Sequence, residues 1–158
     1  MSVYNRRFLD GAKNPFPQHL QQVGPRIPVQ ISIPATLAAQ FAAAEKPIPK
    51  PIQGYALIDT GASVLCVDEG VLNELGLSPF STASVSTPNG DVVQGIYPVS
   101  LSFSGTAVAP IPLARCLGAN LKSQRKPPLE TIALIGRDTL INCVFIYNGK
   151  DASYTFAY

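Results

Sequence analysis

The sequence predicts a mostly antiparallel, all-β chain with one short helix, and three observations carry that prediction. Apolar and polar residues alternate over 27–33 and again over 99–103, which is the period of a half-buried strand. Fifteen prolines and twelve glycines in 158 residues divide the chain into short elements and argue against long helices. Strand-like runs bounded by turn residues outnumber helical patterns along the whole length.

Residues 1–26 mix charge, amide side chains and proline without a period, and read as an irregular N-terminal arm ahead of one domain over 27–158. In the first strand Ile27, Val29, Ile31 and Ile33 share a face, and Pro28, lacking a donor, favours an edge or an initial position. The alanine-rich stretch 35–44 suits two turns of helix or a loop ordered by its surroundings. Pro47, Pro49 and Pro51 stop any helix there. An extended segment then feeds a strand over 53–58, and a short apolar run follows at 64–67. Asp68 is placed to cap a two-turn helix that Gly76 closes and Gly70 weakens. Strands over 82–85 and 92–97 flank a Pro-Asn-Gly turn and make a hairpin with a polar, projecting tip. The alternating run 99–103 turns at 104–106 into 107–113, and the polar, basic stretch 118–128 reads as an exposed loop. A short apolar strand over 132–135 is expected at the centre, followed by one helical turn at 138–141. Strands over 143–147 and 153–158, joined by Asn148-Gly149-Lys150-Asp151, complete the chain.

Composition narrows the function. At 46% hydrophobic residues the chain is a folded globule, far from the disordered range. The net charge of +2 is weak and the basic residues are scattered, which excludes the basic face of a nucleic-acid binder. Cys66, Cys116 and Cys143 are widely separated and His19 is the only histidine, so no metal-ligand spacing exists. The cysteines read as buried free thiols, and no cofactor is expected. The N-terminus lacks the apolar stretch of a signal peptide, and no apolar run approaches the roughly 20 residues that span a bilayer. A cytoplasmic protein with neither nucleic acid nor membrane as partner is the expectation.

The chemistry concentrates at Tyr55-Ala56-Leu57-Ile58-Asp59-Thr60-Gly61-Ala62-Ser63, where an apolar strand delivers a carboxylate into a small-residue loop. Asp59 can be held rigidly at the edge of a core, Thr60 can tie the loop, and Gly61 admits another backbone. Ala62 and Ser63 leave room for an extended ligand. The run Ala56-Leu57-Ile58 before Asp59 recurs as Ala133-Leu134-Ile135 before Gly136, which suggests internal pseudo-symmetry.

With these motifs the chain resembles the retropepsin-like aspartic proteases, and more their bacterial or cellular single-domain branch than the retroviral one. The resemblance covers roughly residues 27–147. It implies a closed, barrel-like domain with a flap hairpin, assembled as a homodimer. It makes Asp59 the catalytic aspartate, Thr60 the residue whose hydroxyl locks the two active-site loops across the dimer, and Gly61 a carbonyl for substrate backbone. Leu134-Ile135-Gly136-Arg137 matches the apolar-apolar-Gly-Arg motif of the family, with Gly136 and Arg137 supporting the loop. Ala62, Ser63 and the flap residues Thr87, Pro88, Asn89 and Gly90 become substrate contacts. Retroviral members carry an acid where this chain has Ser63, and that acid pairs with the motif arginine. Arg137 must therefore bond elsewhere, with Asp68 and Asp138 the acids available in sequence.

The implied activity is aspartic endopeptidase: a water between two carboxylates that share one proton attacks a peptide carbonyl. A single Asp-Thr-Gly leaves one chain incomplete, so the second carboxylate is expected from Asp59 of another copy. The alternating Tyr154, Phe156 and Tyr158 offer an interface strand or, equally, a core edge. Val64, Val92, Val93, Ile96 and Pro110 are candidates to line substrate pockets. The alternative function is a non-catalytic, dimeric peptide-binding module of the same fold, with a structural homo-oligomer joined through its proline-rich stretches as a third reading.

Overall fold

The structure, a computed structural model, describes residues 2–87, 90–125 and 127–158, with only the backbone at Thr87. Its larger sheet is built around strand β2 (Arg26–Ser32), whose apolar residues Ile27, Val29 and Ile31 are buried while the polar ones between them are half-exposed. This is the alternation read from the sequence. β2 pairs antiparallel with β3 (Ile52–Ile58), and through Val29–Ser32 also with β6 (Gly90–Phe103). The Pro28 carbonyl takes the Ser104 N–H at 3.1 Å, so its nitrogen faces the end of β6 and the β3 ladder loses no donor.

The seven-stranded sheet runs β2-β3-β8-β4-β7-β6-β5, where β4 is Cys66–Asp68, β5 Ser81–Thr87, β7 Ile111–Ala119 and β8 Thr131–Ile135. β5 and β6 form the expected hairpin, in register from Ser81↔Ile96 to Thr87↔Gly90. A separate three-stranded sheet, β1-β10-β9, joins β1 (Val3–Arg7), β10 (Ser153–Ala157) and β9 (Val144–Asn148). One continuous core lies beneath both sheets, with Val29, Leu65, Leu101, Ile132, Ile135 and Phe156 fully enclosed.

The expectation of an all-β, closed barrel-like domain with one short helix is corrected. The chain is mixed α/β, with four helices among the described residues: α1 (Pro17–Val23), α2 (Ala35–Ala43), α3 (Glu69–Glu74) and α4 (Arg137–Leu140). Nor do the strands form one barrel. They divide between two sheets; β5 ends the larger as an edge bonded only to β6, and β1 and β9 end the smaller. The helical content was underestimated for a physical reason. α2 has no capping side chain and encloses no residue fully, packing on the core only through the half-buried Leu37, Ala38 and Phe41, so its sequence carries a narrow apolar stripe and no start signal.

The stretch read as irregular carries β1 and α1. β1 pairs with β10 from Val3↔Ala157 to Arg7↔Ser153, and Arg7 bridges to Asp151. α1 inserts Leu20 into the core beside Phe8. α3 forms as expected on Asp68, whose carboxylate accepts the Gly70 N–H at 3.0 Å. Of the two roles open to the C-terminal aromatics, a core edge is the one observed. Tyr154 and Phe156 point into the core, Tyr154 donating its hydroxyl to the Arg26 carbonyl, while Tyr158 packs on Phe103. The exposed face of the small sheet carries Val3, Val144 and Ile146 instead.

Candidate active site

The internal repeat is a structural one. β3 and β8 lie side by side and parallel, with Ala56↔Ala133, Leu57↔Leu134 and Ile58↔Ile135 directly paired. Asp59 leaves β3 at this point, its N–H donating to the Ile135 carbonyl at 3.0 Å. The chain turns at once: Gly61 N–H donates to Asp59 Oδ1 at 2.9 Å, and Ala62 N–H to the Asp59 carbonyl at 3.2 Å. The half-buried carboxylate is thus oriented by its own loop while the core holds Ile58 behind it.

The loop is clamped from the other repeat. A Cβ on Gly136 would lie 2.4 Å from the Val64 carbonyl oxygen, so only glycine allows the two backbones to pass. Beyond it, Arg137 N–H donates to the Ala62 carbonyl at 3.0 Å and Asp138 N–H to the Ser63 carbonyl at 3.1 Å. The Arg137 guanidinium donates through Nη1 to the carbonyls of Thr60 (2.7 Å) and Gly61 (3.0 Å), and through Nη2 to Ser63 Oγ (2.9 Å). Arg137 therefore bonds neither of the acids available in sequence. Asp138 accepts the Leu65 N–H at 2.9 Å, and Asp68 is held by Gly70 N–H, Leu121 N–H and Arg125.

Asp59 opens into a cleft of about 830 Å³. Gly61, Ala62 and Ser63 line its floor with Asp59, and the β5–β6 hairpin supplies one wall through Ser84, Ser86 and Gln94. β7 supplies another through Arg115 and Leu117. Thr60 is exposed on the loop, and Gly136 and Arg137 stand behind it. Of the pocket candidates, Val64 and Ile96 line the cleft, whereas Val92 and Val93 are exposed on the hairpin. Thr87 and Gly90 pair at the end of the hairpin, and Pro88 and Asn89 lie outside the described residues.

Sequence reasoning missed Cys66, Cys116, Gln94 and Arg115 as cleft residues, because β7 reaches this wall through pairings far apart in the chain. Burial, reinforced by the Asp59 and Asp138 carboxylates, pushes the Cys66 thiol up to about 11. Burial, then Cys66 and Asp138, pushes Cys116 up to about 12. Both stay protonated at neutral pH, and His19 stacks on Phe8 in the N-terminal segment. The cleft therefore has a carboxylate and no activated thiol. Among the described residues no cluster of His, Cys, Asp and Glu is placed to hold a metal ion.

No family model matches the chain, and no curated protein does. Solved structures do. The simian foamy virus (mac) protease is 18% identical with a TM-score of 0.41, over 72% of this chain and 91% of its own. A retropepsin-like aspartic protease from Rickettsia conorii is 12% identical with a TM-score of 0.48, over 99% of this chain and 93% of its own. Both likenesses are at low identity, and the geometry of the site carries the functional reading.

Proposed function

We propose that the protein is an aspartic endopeptidase whose active site is completed by a second copy of the chain. The observation that carries this reading is the fixed carboxylate. Asp59 stands at the floor of a cleft, oriented by the Gly61 N–H and by a loop tied to Gly136 and Arg137. One carboxylate cannot both take a proton from water and give one to the scissile carbonyl. Two within a few ångströms can, because their mutual repulsion keeps one protonated while the other is ionised. The second is supplied by the partner subunit's Asp59 across a two-fold axis.

In the reaction the ionised carboxylate removes a proton from the water as its oxygen attacks the peptide carbonyl carbon. The protonated carboxyl gives its proton to the carbonyl oxygen. Collapse of the tetrahedral diol breaks the C–N bond: one diol hydroxyl returns its proton to the carboxylate that had protonated the carbonyl oxygen, and the leaving nitrogen takes the proton that came from water. No covalent intermediate forms. Gly61 retains a carbonyl lone pair beyond the one that Arg137 uses, available to a substrate N–H, and Ala62, Ser63 and the flap complete the contacts. Thr60, exposed on the loop, is free to bond its counterpart at the axis.

Asp59→Asn tests the reading. It keeps the shape of the side chain and removes the dyad, so peptide cleavage should fall by at least about 1,000-fold, while sedimentation still reports a dimer. Full cleavage by the variant, or by a strict monomer, would overturn the proposal. Undiminished peptide binding by a wild-type dimer that cleaves nothing would favour the binding-module reading instead.

A further inference from the structure

We propose that Arg115 selects an acidic side chain, Glu or Asp, in the extended peptide that occupies the cleft. The inference rests on the reading of that cleft as a peptide site and names the substrate class. Apart from Asp59, the floor and hairpin walls are neutral: small residues, hydroxyls, one amide and aliphatic chains. Among the described residues Arg115 is the cation that lines the cleft. It is exposed on β7, and by strand alternation it shares a face with Leu117, which also lines the cleft and pairs with Cys66 on β4.

Exposure at the cleft together with an unengaged guanidinium distinguishes it from the other arginines; Arg26 also lacks a partner at Nε, but that atom is buried. Arg7 bridges Asp151, Arg125 bridges Asp68 and Glu74, Arg137 ties the Asp59 loop, and Arg6 sits over the Phe8 ring. Among the described residues no hydrogen bond or ion pair engages the Arg115 guanidinium. A guanidinium fork with unused donors matches a carboxylate bidentately, and a neutral side chain leaves those donors to water.

The two charges of the cleft also set the direction of the ligand. A substrate carboxylate is repelled from the dyad, which carries a shared negative charge, and drawn toward Arg115. A lysine or arginine experiences the opposite field. An acidic residue therefore fixes the register of the peptide from a subsite away from the scissile bond.

The test is a set of synthetic peptides differing only by Glu, Gln or Lys at one position, scanned along the length of the peptide. Wild-type protein should cleave the Glu peptide about tenfold better than its Gln counterpart at one position, mainly through KM. Arg115→Gln should abolish that preference, and Arg115→Glu should turn it toward Lys; an exposed position makes either variant safe for folding, checked by thermal unfolding. The same profile in wild type and Arg115→Gln would overturn the inference while leaving the catalytic reading intact. Binding of the same peptides to Asp59→Asn separates the converse. A Glu preference in binding without any wild-type cleavage supports Arg115 and counts against catalysis. No cleavage and no binding by any member overturns both.

Discussion

At the scale of the residue, the candidate site depends on what is missing from Gly136. The Val64 backbone occupies the space where a side chain would begin, at 2.4 Å from oxygen and 2.5 Å from carbon. Neither neighbour is a flexible side chain that can turn away. Gly136→Ala should therefore separate the Asp59 loop from α4 and cost about 3 kcal/mol or more, read as a lowered denaturant midpoint. Gly70 shows the same logic in a helix. As a helix residue it is a poor choice, and the sequence reading counted it as a weakness. A Cβ there would lie 2.8 Å from both Arg125 Nη1 and Asp68 Oδ1, so the absent side chain is what admits the ion pair.

At the scale of the element, that ion pair fastens the segment between β7 and β8. Asp68 is nearly enclosed, accepting from Gly70 N–H, Leu121 N–H and Arg125, and Arg125 continues to Glu74 on α3. Arg125→Ala removes the cation and leaves a buried carboxylate with backbone donors alone. The expected loss is about 1–2 kcal/mol in chemical denaturation, with faster amide exchange at Leu121. Here the sequence expectation of an exposed loop over 118–128 is too simple, since β7 continues to Ala119 and Leu121 is buried.

The elements legible in the sequence were those whose signal is local. The alternation of β2, the Asp68 cap and the paired Ala-Leu-Ile runs each announce themselves within a few residues. β1 was not legible, because its pairing partner β10 lies at the other end of the chain and its own charged residues show no apolar face. The candidate site divides the same way. Asp59, Gly61 and Gly136 follow from motif and repeat. Arg115 follows only from β7 meeting β4 in parallel, and the exchange of an acid partner for loop carbonyls at Arg137 depends on a backbone path that no spacing encodes.

At the scale of the whole molecule, the buried thiols tie stability to alkaline pH. An ordinary cysteine here would lose its proton near 9.0, whereas burial holds Cys66 to about 11 and Cys116 to about 12. Below pH 9 the folded and unfolded chains both keep these protons, and the contribution to stability is full. Above it the unfolded chain releases protons that the fold retains, so stability falls with rising pH until both folded-state values are passed. Denaturation between pH 8 and 11 should show this decline, and Cys116→Ala should flatten it. A slope unchanged in that variant would mean that other groups govern it.

The two ends of the described chain meet. Ser2 N–H donates to the Tyr158 carbonyl at 2.8 Å, and Tyr158 N–H returns a bond to the Ser2 carbonyl at 3.1 Å. From Ser2 to Tyr158 the polypeptide thus traces a nearly complete circuit, closed by hydrogen bonds. Any fusion partner attached at one end emerges against the other. A linker of a few residues would make the circuit covalent, allowing new termini to be opened at a surface turn without disturbing the Asp59 cleft.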